Sequence, residues 1–352
     1  MRRDIDYISA RLMAKKSRLL GAARMAELTR LGSAQEFLKM LGDTFYAPHL
    51  EKVTSKRGES LESIFTGLGS SLFKEFSEIR AFSESMAEEP CRYLFALWDI
   101  ENLKRIFRGL KDHKSVEVIM NRIVMAGWVN YTILKEIASS QSLHEGAERA
   151  FSLGVIPRSV LIEAFSSKTS KGEFLAALEL AVDRWFYTVA LQWFDKNRFG
   201  DFWEPIKRSL AYLVEARNIF TLIVAANWGE PPLEVELLQG GRHTPLILLK
   251  RTSDVKDKKS EIAEIILETF GRVGEQCAVL TSAGNFTAAG EALYSAAWRR
   301  QINFLSEDHL TSAILIGYLW AKIGEVVDLR NIAGSIHFGL LSEGREIDLI
   351  SL

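Results

Sequence analysis

The chain has 352 residues, 47% hydrophobic and 25% charged, which is enough for a sizeable core and unlike disordered or fibrous composition. Lys plus Arg number 44 and Asp plus Glu 45, so no net field exists to gather nucleic acid or an anionic membrane. Only Cys91 and Cys277 are present, without a Cys-x-x-Cys pair, which excludes a disulfide scaffold and fits a reducing compartment.

Apolar spacing is helical along almost the whole length, so the predicted fold class is all-α. At the start, Arg11, Lys15, Lys16 and Arg18 interrupt any apolar block, and no secretory signal is expected. Arg11, Lys15 and Arg18 fall at i, i+4 and i+7, a basic stripe on the first helix. The stripe reads as a solvated face or as a contact for an acidic or lipid head-group surface. Gly67-Leu68-Gly69-Ser70-Ser71 lacks the Gly-Lys-Ser/Thr of a phosphate loop and is expected to be a turn. Lys168 to Gly172 fails the same test.

Pro48, Pro90, Pro157, Pro205 and the Pro231-Pro232 pair mark helix boundaries, and Gly240-Gly241 looks like a C-terminal stop. Trp185-Phe186-Tyr187, Trp193-Phe194 and Phe202-Trp203 read as core, or as a partner socket if exposed. Leu246 to Leu249 is one weak strand candidate, and Thr252 to Ser260 reads as a charged surface connection or helix start. His144-Glu145 and Asp308-His309 are isolated pairs without His-Glu-x-x-His spacing, and no Gly-x-Ser-x-Gly elbow occurs. No catalytic residue, metal or cofactor is therefore expected. The longest uncharged apolar stretch, Ala313 to Ala321, is less than half of the ~20 residues of a membrane helix, so no span is expected.

An internal repeat is the informative feature. Asp99-x-x-Asn102-Leu103 recurs as Glu215-x-x-Asn218-Ile219 and as Asp328-x-x-Asn331-Ile332, with the asparagines 116 and 113 residues apart. Gly127 and Gly241 follow the first two asparagines by 25 and 23 residues and are expected to close helices. The chain thus reads as three helical units, 1–127, 128–241 and 242–352. Residues three apart share a helix face, so each acid neighbours its asparagine, on a stripe with Phe95, Leu103 and Ile106 in the first copy. Polar groups on an inward face must find partners: one another, a helix N-terminus, or a basic side chain such as Arg217 or Arg330. Their expected role is to fix helix register. A catalytic constellation is assembled once from different elements, which weighs against a general acid or base here.

These residues also carry a family resemblance. Tyr7-x-x-Ala10-Arg11-Leu12-x-Ala14-Lys15, Asp99-x-x-Asn102-Leu103-Lys104 with Arg108-Gly109-Leu110, and Lys322-x-x-Glu325-x-x-Asp328-x-x-Asn331-Ile332 resemble the C subunit of the archaeal and bacterial A/V-type rotary ATPases. The d subunit of the eukaryotic V-ATPase is the relative of that family. Glu179-x-x-x-Asp183-Arg184-Trp185-Phe186-Tyr187 is similar to the helix opening its second repeat. A basic residue often follows the asparagine in that family; Lys104 keeps it, whereas Phe220 and Ala333 do not. The resemblance implies a funnel of three similar subdomains about a pseudo-threefold axis. It implies a peripheral place on the cytoplasmic face of the membrane, between the proteolipid ring and the D and F subunits of the central stalk. There a non-catalytic rotor protein would couple proton or sodium movement to the stalk. A helical-repeat adaptor holding unrelated partners is the alternative; neither reading involves nucleic acid.

Overall fold

A computed structural model describes residues 2–84, 88–166, 174–197, 201–229, 232, 234–253, 257–340 and 349–350. The fold is all-α, with no strand among the described residues. In chain order the helices are α1 (Arg2–Lys16), α2 (Ala22–Leu28), α3 (Ala34–Met40), α4 (Ala47–Arg57), α5 (Leu61–Glu84) and α6 (Glu88–Lys111). Then come α7 (Val116–Met120), α8 (Tyr131–Ala138), α9 (Leu143–Ser152), α10 (Arg158–Ser166), α11 (Phe174–Lys196) and α12 (Glu204–Trp228). The last are α13 (Pro245–Ser253), α14 (Lys258–Phe270), α15 (Glu275–Ser282), α16 (Phe286–Ile302) and α17 (Ala313–His337).

Local chemistry explains many of these starts. Ser33, Asn130, Ser142 and Asp257 each accept the backbone N–H three residues ahead, capping α3, α8, α9 and α14. Pro48 and Pro205 lie in the first turns of α4 and α12, and Pro245 begins α13, where a missing N–H costs nothing. Lys168 to Gly172 and Pro231 lie outside the described residues.

The chain forms two compact units. Unit 1 comprises 1–98, 121–128 and 302–352; unit 2 comprises 99–120 and 129–301. In unit 1, α5 buries Ile64, Leu68, Leu72, Phe76 and Ile79, the apolar stripe of an amphipathic helix, and packs against α4 and α17. Helix α17 is buried from Ala313 to Val326 on every side, as its run of apolar residues requires. Its Trp320 packs against Trp98 at a tilt of 54°, with centroids 5.0 Å apart. In unit 2, Ile219, Leu222 and Ile223 of α12 meet Leu248 of α13, Ile262, Ile265 and Ile266 of α14, and Leu293 of α16.

Several sequence expectations change at this level. Gly67 to Ser71 is not a turn but the interior of α5. A Cβ on Gly67 would stand 3.1 Å from Leu50 Cα and 3.2 Å from the His49 oxygen, so this glycine lets α4 approach α5. Leu246 to Leu249 is helical, inside α13, because a short apolar run carries no periodicity to separate strand from helix. Gly127 and Gly240-Gly241 close no α-helix: α7 ends at Met120, and the single turn Glu234–Glu236 precedes the glycine pair. Thr252 and Ser253 end α13, Asp257 caps α14, and 254–256 lie outside the described residues. Helix α12 is long and apolar enough to cross a membrane by length and composition, with 44% of its most apolar window buried in the chain. A search for uncharged runs passes over it because Glu215 and Arg217 interrupt the run.

Candidate functional site

The three motif copies fall on the long helices α6, α12 and α17. Asp99 is 5% exposed, and Glu215 and Asp328 are 0% exposed. Each carboxylate accepts a backbone N–H from the chain returning to its helix. Asp99 Oδ1 accepts from Val129, 30 residues on, at 3.0 Å. Glu215 Oε2 accepts from His243, 28 residues on, at 3.1 Å. Asp328 Oδ1 accepts from Ile350, 22 residues on, at 3.1 Å. In the first two copies the donor directly precedes the residue that starts the next helix, Asn130 for α8 and Thr244 for α13. A buried carboxylate is costly without such donors, and a charge-assisted bond to a backbone N–H is among the stronger ones.

The asparagines diverge. Asn218 is 0% exposed and clamps Leu238 from both sides: its Nδ2 donates to the Leu238 oxygen at 2.9 Å, and the Leu238 N–H donates to its Oδ1 at 2.7 Å. Asn102 is buried too and accepts from Arg105 Nη1 at 3.1 Å. Asn331 is exposed, unlike its counterparts, so the inward face expected of all three asparagines holds for two. Replacing Asn218 with alanine is expected to lower stability by about 2 kcal/mol, because two buried backbone groups lose their partner. Urea unfolding of the two proteins checks this, and a loss of a few tenths would refute the clamp.

Both glycines of the 240–241 pair are needed at this junction. Gly240 has φ 98°, and its missing Cβ leaves room for Leu191 Cδ1. A Cβ on Gly241 would strike the Glu215 carboxylate and lie 3.3 Å from Val214 Cγ1. The glycine pair thus serves close approach to α11 through Gly240 and to α12 through Gly241 rather than helix termination.

Two ion-pair groups surround the motifs. In unit 2, Lys104 Nζ meets Asp183 at 2.9 Å and Glu101 at 2.6 Å. Arg108 grips Glu179 through two nitrogens at 2.6 and 2.9 Å. Lys104 and Arg108 are one helical turn apart, as are Glu179 and Asp183, so the pairs form an antiparallel ladder between α6 and α11. Burial opposes the Lys104 charge, but Asp183 and Glu101 outweigh it and hold the ammonium above its usual range. Arg217 joins at 3.5 Å from Asp183. Opposite charges at i, i+4 on two helices were the available sequence signal, yet only the fold pairs the helices.

In unit 1, Lys322 and Glu325, each 2% exposed, pair at 2.8 Å. Tyr46 OH and the Leu20 N–H both donate to Glu325, and the Lys322 ammonium lies 4.2 Å from the Tyr46 ring centre. Beside them Glu75 takes Lys15 Nζ at 2.9 Å and Tyr318 OH at 2.5 Å. Burial, reinforced by Glu325 and Glu75 respectively, pushes the Tyr46 and Tyr318 hydroxyls well above the usual phenol range.

The basic stripe is divided by this arrangement. Lys15 is 8% exposed and bound to Glu75 and to Glu78 at 2.9 Å, so it offers no free charge. Arg18 lies beyond the last residue of α1 and is exposed; Arg11 is exposed, hydrogen-bonded to Tyr7 and stacked over Phe82. The aromatic clusters are only partly core: Phe186, Tyr187 and Phe194 are buried, whereas Trp185, Trp193, Phe202 and Trp203 are half-buried. Chemically, the motif carboxylates are neutralised or hydrogen-bonded within packed helices, which suits rigidity rather than proton transfer. Among the described residues, no group of three His, Cys, Asp or Glu side chains could hold a metal ion. Cys91 and Cys277 are buried free thiols, and burial raises that of Cys277 to about 11.

Known proteins share this arrangement of sequence. The family model described as ATP synthase (C/AC39) subunit matches residues 8–344. The C subunit of the V-type ATP synthase of Deinococcus radiodurans is 28% identical over 190 residues, 54% of this chain and 53% of its own length. The C subunit of the A-type ATP synthase of Halobacterium salinarum, also 28% identical, matches 52% of this chain and 51% of its own length, so the chain spans about half the length of these two relatives. The alignment with the C subunit of the A-type ATP synthase of Haloferax volcanii, 24% identical, covers 99% of this chain and 97% of the relative. With the match running from α1 past α17 and through all three motif helices, the chain belongs to the ATP synthase (C/AC39) subunit family.

Proposed function

We propose that this chain is a non-catalytic coupling subunit of an A/V-type ATP synthase, seated between the membrane proteolipid ring and the D and F subunits of the central stalk. The family match across residues 8–344 carries this reading. A rotating coupler needs stiffness and large non-covalent interfaces, not a nucleophile or metal. The buried carboxylate-to-backbone bonds on α6, α12 and α17 support that requirement, since each ties a returning segment to a long helix. Their recurrence also supports reading the chain as three units, 1–127, 128–241 and 242–352, arranged as a pseudo-threefold funnel. In this reading Asp99, Asn102, Glu215, Asn218, Asp328 and Asn331 serve the architecture of the repeats. The chain sits peripherally on the cytoplasmic face, held through the ring, and passes ion-driven rotation to the stalk or the reverse.

Reconstitution tests the proposal. The purified chain is expected to bind the detergent-solubilised ring and the D and F proteins of the stalk while hydrolysing no ATP alone. Recovery of unrelated soluble partners from native membranes, without any ATPase component, would instead favour the adaptor. Arg11 and Arg18 are the exposed cations of the N-terminal region proposed to touch an acidic partner surface. Substituting both with glutamate is expected to weaken ring binding roughly tenfold at low salt and less at high salt. Unchanged affinity at low salt would remove them from the interface.

A further inference from the structure

The second motif copy differs from the others in the side chain borne by its returning amide. Val129 and Ile350 donate their N–H groups and carry aliphatic side chains, whereas the equivalent donor in the second copy is His243. Its imidazole lies between two carboxylates: Nδ1 is 2.6 Å from Glu215 Oε1, and Nε2 is 3.2 Å from Glu268 Oε2. The ring is 14% exposed, and the Glu215 side chain is fully buried. A neutral imidazole has one N–H and can serve one of these acceptors; the doubly protonated ring serves both.

We propose that His243 is a proton-operated clamp that holds the 237–244 segment to α12 and α14. With both nitrogens protonated it bridges Glu215 and Glu268; with one proton lost, a carboxylate oxygen faces a ring lone pair and the bridge opens on that side. The charged groups around it come from each neighbouring helix. Helix α12 supplies Glu215, and α14 supplies Glu268, with Glu261 and Glu264 a turn or more before it. Helix α13 supplies Arg251, which binds Glu268 through two nitrogens at 2.8 and 3.2 Å and also binds Glu261. Arg242, next to the histidine, donates to the Glu268 backbone oxygen. Arg251 opposes the clamp because it shares Glu268; the Glu215 carboxylate, with no other charged partner in contact among the described residues, favours it. Because the two-sided bridge needs an N–H on each ring nitrogen, its contribution to stability is expected to be larger at lower pH and to fade as pH rises.

The test uses the full chain, with thermal unfolding at about pH 6 and about pH 8.5, on either side of histidine titration. Wild type, His243→Gln and Glu268→Gln are compared. The melting-temperature gap between wild type and His243→Gln is expected to shrink roughly twofold or more from the lower to the higher pH. The gap between wild type and Glu268→Gln is expected to shrink in the same direction. Nitrogen NMR of the wild-type ring at the lower pH is expected to show both nitrogens protonated. A single-tautomer ring at that pH, or gaps equal at both pH values, overturns the clamp. Should His243→Gln not fold, the half-exposed Glu268→Gln variant and the NMR signature decide the matter.

Discussion

Replacing Lys322 with methionine is expected to destabilise unit 1 by about 3–5 kcal/mol, the cost of breaking a buried ion pair from one side. The ammonium is 2% exposed and pairs with a carboxylate that is equally buried. Without it Glu325 keeps the Tyr46 hydroxyl and the Leu20 amide as donors, but its charge has no counter-ion in the Lys322 position. Combining the change with Glu325→Gln removes the orphaned charge and is expected to restore more than half of the loss. Chemical unfolding of the single and double variants measures both quantities. A single-variant loss under about 1 kcal/mol would mean that water reaches the pair, contrary to its burial.

The second large effect is steric. Gly317 lies in the second turn of α17, and a Cβ there would fall on the Leu305 backbone nitrogen, 2.7 Å from Leu305 Cγ and 3.0 Å from its Cα. Backbone cannot rotate aside as a side-chain end can, so Gly317→Ala is expected to cost about 3 kcal/mol. Gly334 in the same helix has no atom within 4 Å of its would-be Cβ. Gly334→Ala is therefore expected to stabilise by about 0.5–1 kcal/mol through helix propensity alone. Opposite signs for the same substitution in one helix separate packing from propensity; equal signs would show that the 303–306 segment yields.

Helix content was legible because its cues are local. The helical apolar spacing along most of the chain and the prolines opening α4 and α12 act within a few residues, as do the caps at Ser33, Asn130 and Ser142 that the structure adds. The recurring acid-x-x-Asn motif could be seen for the same reason, since it needs only a short stretch of each helix. Its partners could not be seen. Whether Glu215 meets Arg217 or the amide of His243 depends on where a segment 28 residues away returns. Asn331 shares the spacing of Asn218 yet is exposed, because exposure depends on what else covers the helix. Lys15 looked like part of a surface stripe with Arg11, and only α5 turned it inward onto Glu75 and Glu78.

The glycines draw the same boundary. Gly67 and Gly69 carry the composition of a turn, but α5 continues through them, and α4 and the Arg330 guanidinium come close to their bare faces. By itself the sequence determined that this chain is helical, that it repeats a buried-acid motif, and that it resembles one family, since periodicity and spacing are properties of the chain alone. Tertiary structure decided which charges are neutralised, which glycines are obligatory, and which histidine bridges two carboxylates. Those depend on atoms distant in sequence sharing a volume from which water is excluded, where an unpaired charge or an extra methyl group is most costly.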